Sequence, residues 1–279
     1  MPILAFIANF DIRKEMHTTM KEVAVIVPIY KETLGEYERV ALDSITSQLA
    51  AYPIVMVKPE RLDISAVTGQ YPQLMVESFA DEFFAGIAGY NRLMLNTDFY
   101  KRFAGYRYIL IAQLDTYIFR DELIDWCSKD YDYVGAPWIV RSIYNNPLMR
   151  LYSAIKRTYC RLLNKPNSQI TGNKVGNGGL SLRKVQSHIE ATEKLASTIE
   201  KYLTHKRHHL FNEDVFFAIE PNQNGLSWTY PDHMEALRFS FDTHPAYCYN
   251  LTGHRLPFGC HSWSKRRMLP FWSPIILQK

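Results

Sequence analysis

The stretch Tyr108-Ile109-Leu110-Ile111-Ala112 is apolar, largely β-branched or aromatic and of strand length, and it stops abruptly at Gln113-Leu114-Asp115. It predicts a buried strand that ends at a carboxylate. In an open α/β sheet, ligands gather outside the carboxyl ends of the strands. Asp115 is therefore placed either to hold a hard divalent cation with its phosphate ligand, or to serve as a turn residue before the helix that Asp121-Glu122 opens.

The order of elements around this strand favours a nucleotide-binding half-fold. Glu22 to Ile29 (EVAVIVPI) reads as a central parallel strand closed by Pro28, and Tyr30-Lys31-Glu32 as the loop that leaves it. Apolar residues then recur with a helical period from Leu34 to Leu49, and Pro53 to Val57 gives the next strand, which completes a βαβ unit. Gln73 to Phe79 predicts a third strand, followed by a helix from Phe84 to Leu95 that carries Arg92, and by a short helix over Glu122 to Lys129. With 279 residues, 47% of them hydrophobic, one large α/β domain is expected.

Four further stretches bear on chemistry. Tyr131 to Trp138 (YDYVGAPW) offers aromatics for the wall of a sugar site or for ordinary core, and Gly135 permits close backbone approach. Gly176-Asn177-Gly178-Gly179 runs straight into Leu-Ser-Leu, as backbone passing a bulky ligand without Cβ atoms would. It matches neither phosphate-loop pattern, GxxxxGK[ST] or GxGxxG. In Asn212-Glu213-Asp214-Val215-Phe216-Phe217 an acidic pair precedes an apolar turn, which suits either an N-capped helix or a base held at the floor of a cleft. The region from Asp242 onward has little periodicity and three histidines, His244, His254 and His261, of which His261 in PFGCHSW best completes a metal site opened by Asp115. A continuous helix is expected from Val185 to Tyr202, ended by the basic cluster Lys206-Arg207-His208-His209.

Charge excludes some classes. The net charge of +4 is small and dispersed, so nucleic acid is not an expected partner. The exception is Arg141 to Ser168, where Arg150, Lys156, Arg157, Arg161 and Lys165 interleave with apolar residues and no acid occurs: either a packed surface helix or one that lies on an anionic membrane or grips an acidic acceptor. Cys127, Cys160, Cys248 and Cys260 are widely spaced, which predicts free thiols in a reducing compartment. Met1 to Phe10 is apolar but about half the length of a membrane span. The expected location is the cytoplasm, with peripheral contact at the inner face of the cell membrane.

The ordered set VPIYKE, GYNRLML, LIAQLDTYIF, YDYVGAPW, GNGGLSLR, NEDVFF and LPFGCHSW, covering roughly Glu22 to Trp263, resembles a family of bacterial and fungal proteins catalogued as a domain of unknown function and itself similar to GT-A glycosyltransferases. More distantly, it is similar to the animal β-galactosyltransferases, which share a proline-containing nucleotide loop, an FNR segment, an acid-x-acid metal motif, a GGxS segment and an acidic pair. The resemblance implies a GT-A-like (Rossmann-like), mostly parallel sheet flanked by helices in a single domain. The nucleotide-binding half would span about 22–137, a basic helical insertion about 141–168, the acceptor and catalytic half about 169–263 and a tail 264–279. It implies that Pro28, Tyr30 and Lys31 line the nucleotide, Arg92 contacts its base, Asp115 binds the metal, Gly178 and Gly179 border the sugar, Glu213 holds the acceptor and Asp214 is the base. Gln113 stands where the first acid of the metal motif is expected, leaving Asp115 the only carboxylate of that triplet.

The implied activity is transfer of a sugar from a nucleoside-diphosphate sugar, expected to be a UDP-sugar, to a hydroxyl of a glycan or lipid-linked acceptor, with inversion and with Mn²⁺ or Mg²⁺ as cofactor. Two other readings use the same sheet. One is a nucleotidyltransferase acting on sugar phosphates, which requires a second metal-binding carboxylate and a basic N-terminal phosphate loop. The other is a non-catalytic carbohydrate-binding protein, which Gln113 keeps open.

Overall fold

A computed structural model describes residues 20–141, 146–163, 168–204 and 209–278. The first ten residues, Lys165 and the Lys206–His208 part of the basic cluster lie outside the described residues. A six-stranded sheet in the order β3-β2-β1-β4-β7-β6 forms the centre. Its strands are β1 (Lys21–Pro28), β2 (Ile54–Pro59), β3 (Met75–Phe79), β4 (Tyr106–Ala112), β6 (Tyr133–Gly135) and β7 (Leu180–Lys184). β1 pairs in parallel with both β2 and β4, and β2 in parallel with β3. Only β7 runs against its neighbours β4 and β6.

Alternation along the strands divides the core into two layers. Val23, Val25 and Val27 of β1 join Tyr108, Leu110 and Ala112 of β4 on one face of the sheet, whereas Ala24, Ile26, Ile109 and Ile111 point to the other. Both faces are buried, so the two strands read as unbroken apolar runs. The first helix, α1 (Glu36–Gln48), crosses over between β1 and β2 as the apolar period predicts. α2 (Ser65–Gln70) precedes β3, α3 (Gly86–Met94) and α4 (Thr97–Arg102) lie between β3 and β4, and α5 (Leu123–Ser128) precedes β6.

The expected single helix from Val185 is two: α7 (Val185–Lys194) and α8 (Ala196–Thr204), broken at Leu195. The break keeps Ile189, Leu195, Ile199 and Tyr202 all in the same core layer, a span over which a straight helix rotates its apolar stripe away.

A second, three-stranded sheet has the order β5-β9-β8, built from β5 (Tyr117–Ile118), β8 (Ser240–Phe241) and β9 (Gly259–Cys260), with α10 (His233–Phe239) leading into β8 and α11 (Pro245–Leu251) between β8 and β9. It is fixed by a third apolar cluster around the fully buried Trp263 and Trp272, the latter on α12 (Leu269–Ile276). All four cysteines are free and buried. No helix among the described residues is long and apolar enough to cross a membrane.

Candidate functional site

The small sheet brings together residues that are far apart in the sequence. β8 and β9 are parallel with Phe241 opposite Cys260, so the next residues, Asp242 and His261, emerge side by side. β9 pairs antiparallel with β5, Cys260 opposite Tyr117, which carries the chain after His261 back along the chain before Tyr117; the Trp263 amide donates to the Asp115 carbonyl at 3.3 Å. Asp115 and His261 therefore meet. The Asp115 Oδ1 to His261 Nε2 distance is 3.0 Å, and Asp242 Oδ1 lies 3.0 Å from His261 Nδ1. Gln113 Oε1 is 3.3 Å from Nε2, and Lys265 Nζ is 3.7 Å from Asp115 Oδ2.

The charges are set by these neighbours. Burial opposes protonation of His261, but Asp115 and Asp242 outweigh it and raise the imidazole to about 9. Burial likewise pushes the Asp115 carboxyl up, yet His261 and Lys265 together hold it below the ordinary carboxylate range. A carboxylate and an imidazole 3.0 Å apart are a donor pair suited to one hard divalent cation, and a carboxylate on Nδ1 is the usual outer partner of a ligating histidine. Among the described residues no trio of His, Cys, Asp or Glu converges on one point. Asp115 and His261 are thus the two side chains that could hold such a cation, with phosphate and water filling its remaining positions.

Beside this pair opens a cleft of about 440 Å³ outside the carboxyl ends of β1 and β4. Pro28 and Tyr30 border it from β1, Gln113, Leu114 and Asp115 from β4, and Phe83, Phe84 and Tyr90 form an aromatic wall. Its size and its mixture of apolar wall and convergent polar groups are those of a ligand site. A larger depression of about 680 Å³ borders Arg120, Lys129, Glu235 and Arg238, where Lys129 pairs with Glu235 at 2.9 Å and Arg120 with Glu122.

Asp214 stands half-buried in the first turn of α9 (Glu213–Gln223). Burial, then the charges of Glu213 and Asp242, raise its carboxyl to about 7, the range in which a base is most effective at neutral pH. Glu213 behaves differently. It is 3% exposed and paired with the fully buried Arg183 of β7, Oε2 to Nη2 3.0 Å, and its amide donates to Asn91 Oδ1 at 3.1 Å. The side chain expected to hold an acceptor is thus committed to a buried ion pair, because Arg183 needs a counter-charge there.

Arg92 and Lys31, expected at the nucleotide, are bonded to protein groups in this structure. Arg92 donates to the Glu82 carbonyl at 3.0 Å and braces the turn that carries Phe83 and Phe84, while Tyr90 on the same helix faces the cleft. Lys31 pairs with Glu38 at 2.6 Å, and it is Glu38 that borders the cleft. His244 and His254 are exposed, and His254 hydrogen-bonds Asn250 at 3.0 Å; neither approaches Asp115 as His261 does.

The glycine run is needed, but for protein neighbours. A Cβ on Gly176 would overlap the Trp138 ring, one on Gly178 the Glu213 carboxylate and one on Gly179 the His261 imidazole. Because Gly179 accepts from the Gln113 amide at 2.9 Å, this run forms the wall beside the end of β4. Asp242 and Arg183 were not anticipated as site residues from the sequence. A charged residue within the alternating segment Leu180-Ser181-Leu182-Arg183 was the available signal for Arg183; nothing local marks Asp242.

Residues 73–261 match the sequence profile of a family described as Protein of unknown function (DUF5672). No protein of curated function matches the chain by sequence. Solved structures resemble it over most of its length. The galactosyltransferase LgtC, in complex with donor and acceptor sugar analogues, superposes with a TM-score of 0.52 at 14% identity, 88% of each chain being covered. A glycosyltransferase involved in glycosylation of the major capsid of PBCV-1 gives 0.48 at 9% identity, over 88% of this chain and 95% of that one. Core-mannan synthase A of Aspergillus fumigatus, in its Mn/GDP form, gives 0.46 at 10% identity, over 74% and 70%. The fold is that of the GT-A glycosyltransferases.

Proposed function

The chain belongs to the family described as Protein of unknown function (DUF5672), and from that premise we propose that it is a GT-A glycosyltransferase which moves a sugar from a nucleoside-diphosphate donor to an acceptor hydroxyl. The observation that carries this reading is the convergence of Asp115 and His261, 3.0 Å apart, at the mouth of an aromatic-walled cleft outside the ends of β1 and β4. LgtC is solved in complex with donor and acceptor sugar analogues. The same ligand classes suit this cleft.

In the proposed arrangement Pro28, Tyr30 and the Phe83–Phe84 wall receive the nucleoside, and Gln113, Gly178 and Gly179 lie towards the sugar. Asp115 and His261 would hold Mn²⁺ or Mg²⁺, and that ion would supply charge neutralisation for the departing diphosphate. Asp242 keeps the His261 ring oriented through Nδ1, and Lys265 adds positive charge beside Asp115.

Asp214 takes the proton of the acceptor hydroxyl as the new glycosidic bond forms and the bond to the diphosphate breaks. A carboxyl raised to about 7 accepts that proton more readily than an ordinary aspartate. Transfer in one displacement inverts the anomeric centre. Glu213 contributes indirectly: its ion pair with Arg183 fixes the start of α9, and so the position of Asp214. UDP-sugar donors and a glycan or lipid-linked acceptor are the proposed substrates.

Incubation with a panel of nucleotide sugars tests this reading, scoring release of nucleoside diphosphate with Mn²⁺, with Mg²⁺ and with chelator. At least one donor should turn over, faster with metal. Release of nucleoside monophosphate or pyrophosphate instead would identify nucleotidyl transfer, and no turnover of any donor would contradict the reading.

A further inference from the structure

Between the stalks Pro137–Val140 and Asn173–Val175 the chain leaves the body and returns. Trp138 donates to the Lys174 carbonyl at 3.0 Å, Asn173 to the Trp138 carbonyl at 2.8 Å, and Pro137 bridges Val175. The second stalk runs directly into Gly176–Gly179 at the site wall. The loop so tied off carries α6 (Pro147–Leu162). Leu148 is 79% exposed, Leu151 60%, Tyr152 56%, Ile155 60% and Leu162 78%. These positions recur at the spacing of one helix face, and an exposed stripe of this kind marks an interaction surface.

Charge indicates what covers it. No Asp or Glu occurs from Tyr133 to Ile189, while Arg150, Lys156, Arg157 and Arg161 all fall on the helix. A second copy of the chain would bring the same cations to the same place, and like charges oppose that pairing. A surface that is apolar below and negative above meets both features at once. We propose that α6 docks on an anionic lipid surface, lying in the headgroup plane with the Leu148–Leu162 stripe inserted and the net positive charge of the segment attracted by the phosphates. At 16 residues the helix lies on the bilayer and does not span it. Docking would hold the site wall near the lipid, and the inference does not depend on the proposed activity.

Cosedimentation of the full chain with vesicles tests it. The chain should pellet with phosphatidylcholine–phosphatidylglycerol vesicles and remain free of phosphatidylcholine alone, with binding that weakens as salt is raised. Replacing Arg150, Lys156, Arg157 and Arg161 together by Gln should weaken low-salt binding by roughly fivefold per cation. Leu151→Gln with Ile155→Gln should weaken it by about tenfold or more at every salt concentration. Circular dichroism and the melting temperature check that both variants fold. Failure of the unaltered chain to bind anionic vesicles at any ionic strength, or variants that bind as it does, would overturn the proposal. So would a dimer that the Leu151/Ile155 variant loses, with no vesicle binding, which would identify a second copy as the occupant.

Discussion

Asp242 and His261 face one another at 3.0 Å because two strands of two residues each, β8 and β9, run in parallel and stop together. The pairing fixes the imidazole from behind, at Nδ1, and turns Nε2 towards Asp115. Asp242→Ala should therefore reduce Mn²⁺ affinity by about 10–100-fold without removing a ligand. The check is a metal titration of nucleoside-diphosphate binding; an unchanged midpoint would show that Asp242 has no such role.

Asp214 carries an opposite pair of effects on activity and stability. Its carboxyl is raised to about 7 in the folded protein, so the stability it contributes is complete below its unfolded value near 4 and is lost as pH rises through 7. Asp214→Asn removes the charge that burial opposes. The variant should lose ~10²–10⁴ in transfer rate yet melt higher than the parent at pH 8, with the difference vanishing near pH 4. A variant with parental turnover, or one less stable at pH 8, would contradict this assignment.

Arg183 and Glu213 form a buried pair whose halves are unequal to lose. Glu213→Gln leaves the guanidinium, wholly buried, without its counter-charge, and should cost about 3–5 kcal/mol in a denaturant titration. A direct role in acceptor binding would instead raise the acceptor KM at unchanged stability. The two outcomes separate a positioning residue from a binding one.

The glycines at the wall can be ranked against a control. Gly178→Ala and Gly179→Ala force a Cβ into Glu213 and His261, which should destabilise the fold by ~1–3 kcal/mol each and disturb the site. Gly69, inside α2, has no atom within 4 Å of its Cβ position. Gly69→Ala should be neutral or stabilising by about 0.5–1 kcal/mol. Equal melting temperatures for all three would contradict the close approach at the wall.

The main sheet was legible because β1 and β4 are buried on both faces and read as continuous apolar runs that end at Pro28 and Gln113. Asp115 was legible as a lone acid at such an end, and His261 as the histidine in an aromatic, glycine-containing context. The reason they meet was not, since β5, β8 and β9 are too short to show any periodicity. For the same reason Asp242, 19 residues before its partner, gave no signal. The glycine run revealed that backbone approaches something closely but not what; the neighbours are Trp138, Glu213 and His261. Arg92 and Lys31 were placed by motif, whereas hydrogen bonding to Glu82 and Glu38 decides where they point.

The central claim is that Asp115 and His261 receive a diphosphate-bound cation at the mouth of the cleft. Calorimetric titration of UDP and of GDP tests it most directly, with Mn²⁺ and with chelator, using the parent chain and Asp115→Asn. At least one of the two nucleotides should bind the parent, more tightly with Mn²⁺ than with chelator, and Asp115→Asn should erase the difference while leaving the weak metal-free binding in place. Binding of neither nucleotide in the presence of Mn²⁺, or equal affinity with Mn²⁺ and with chelator, would contradict the account.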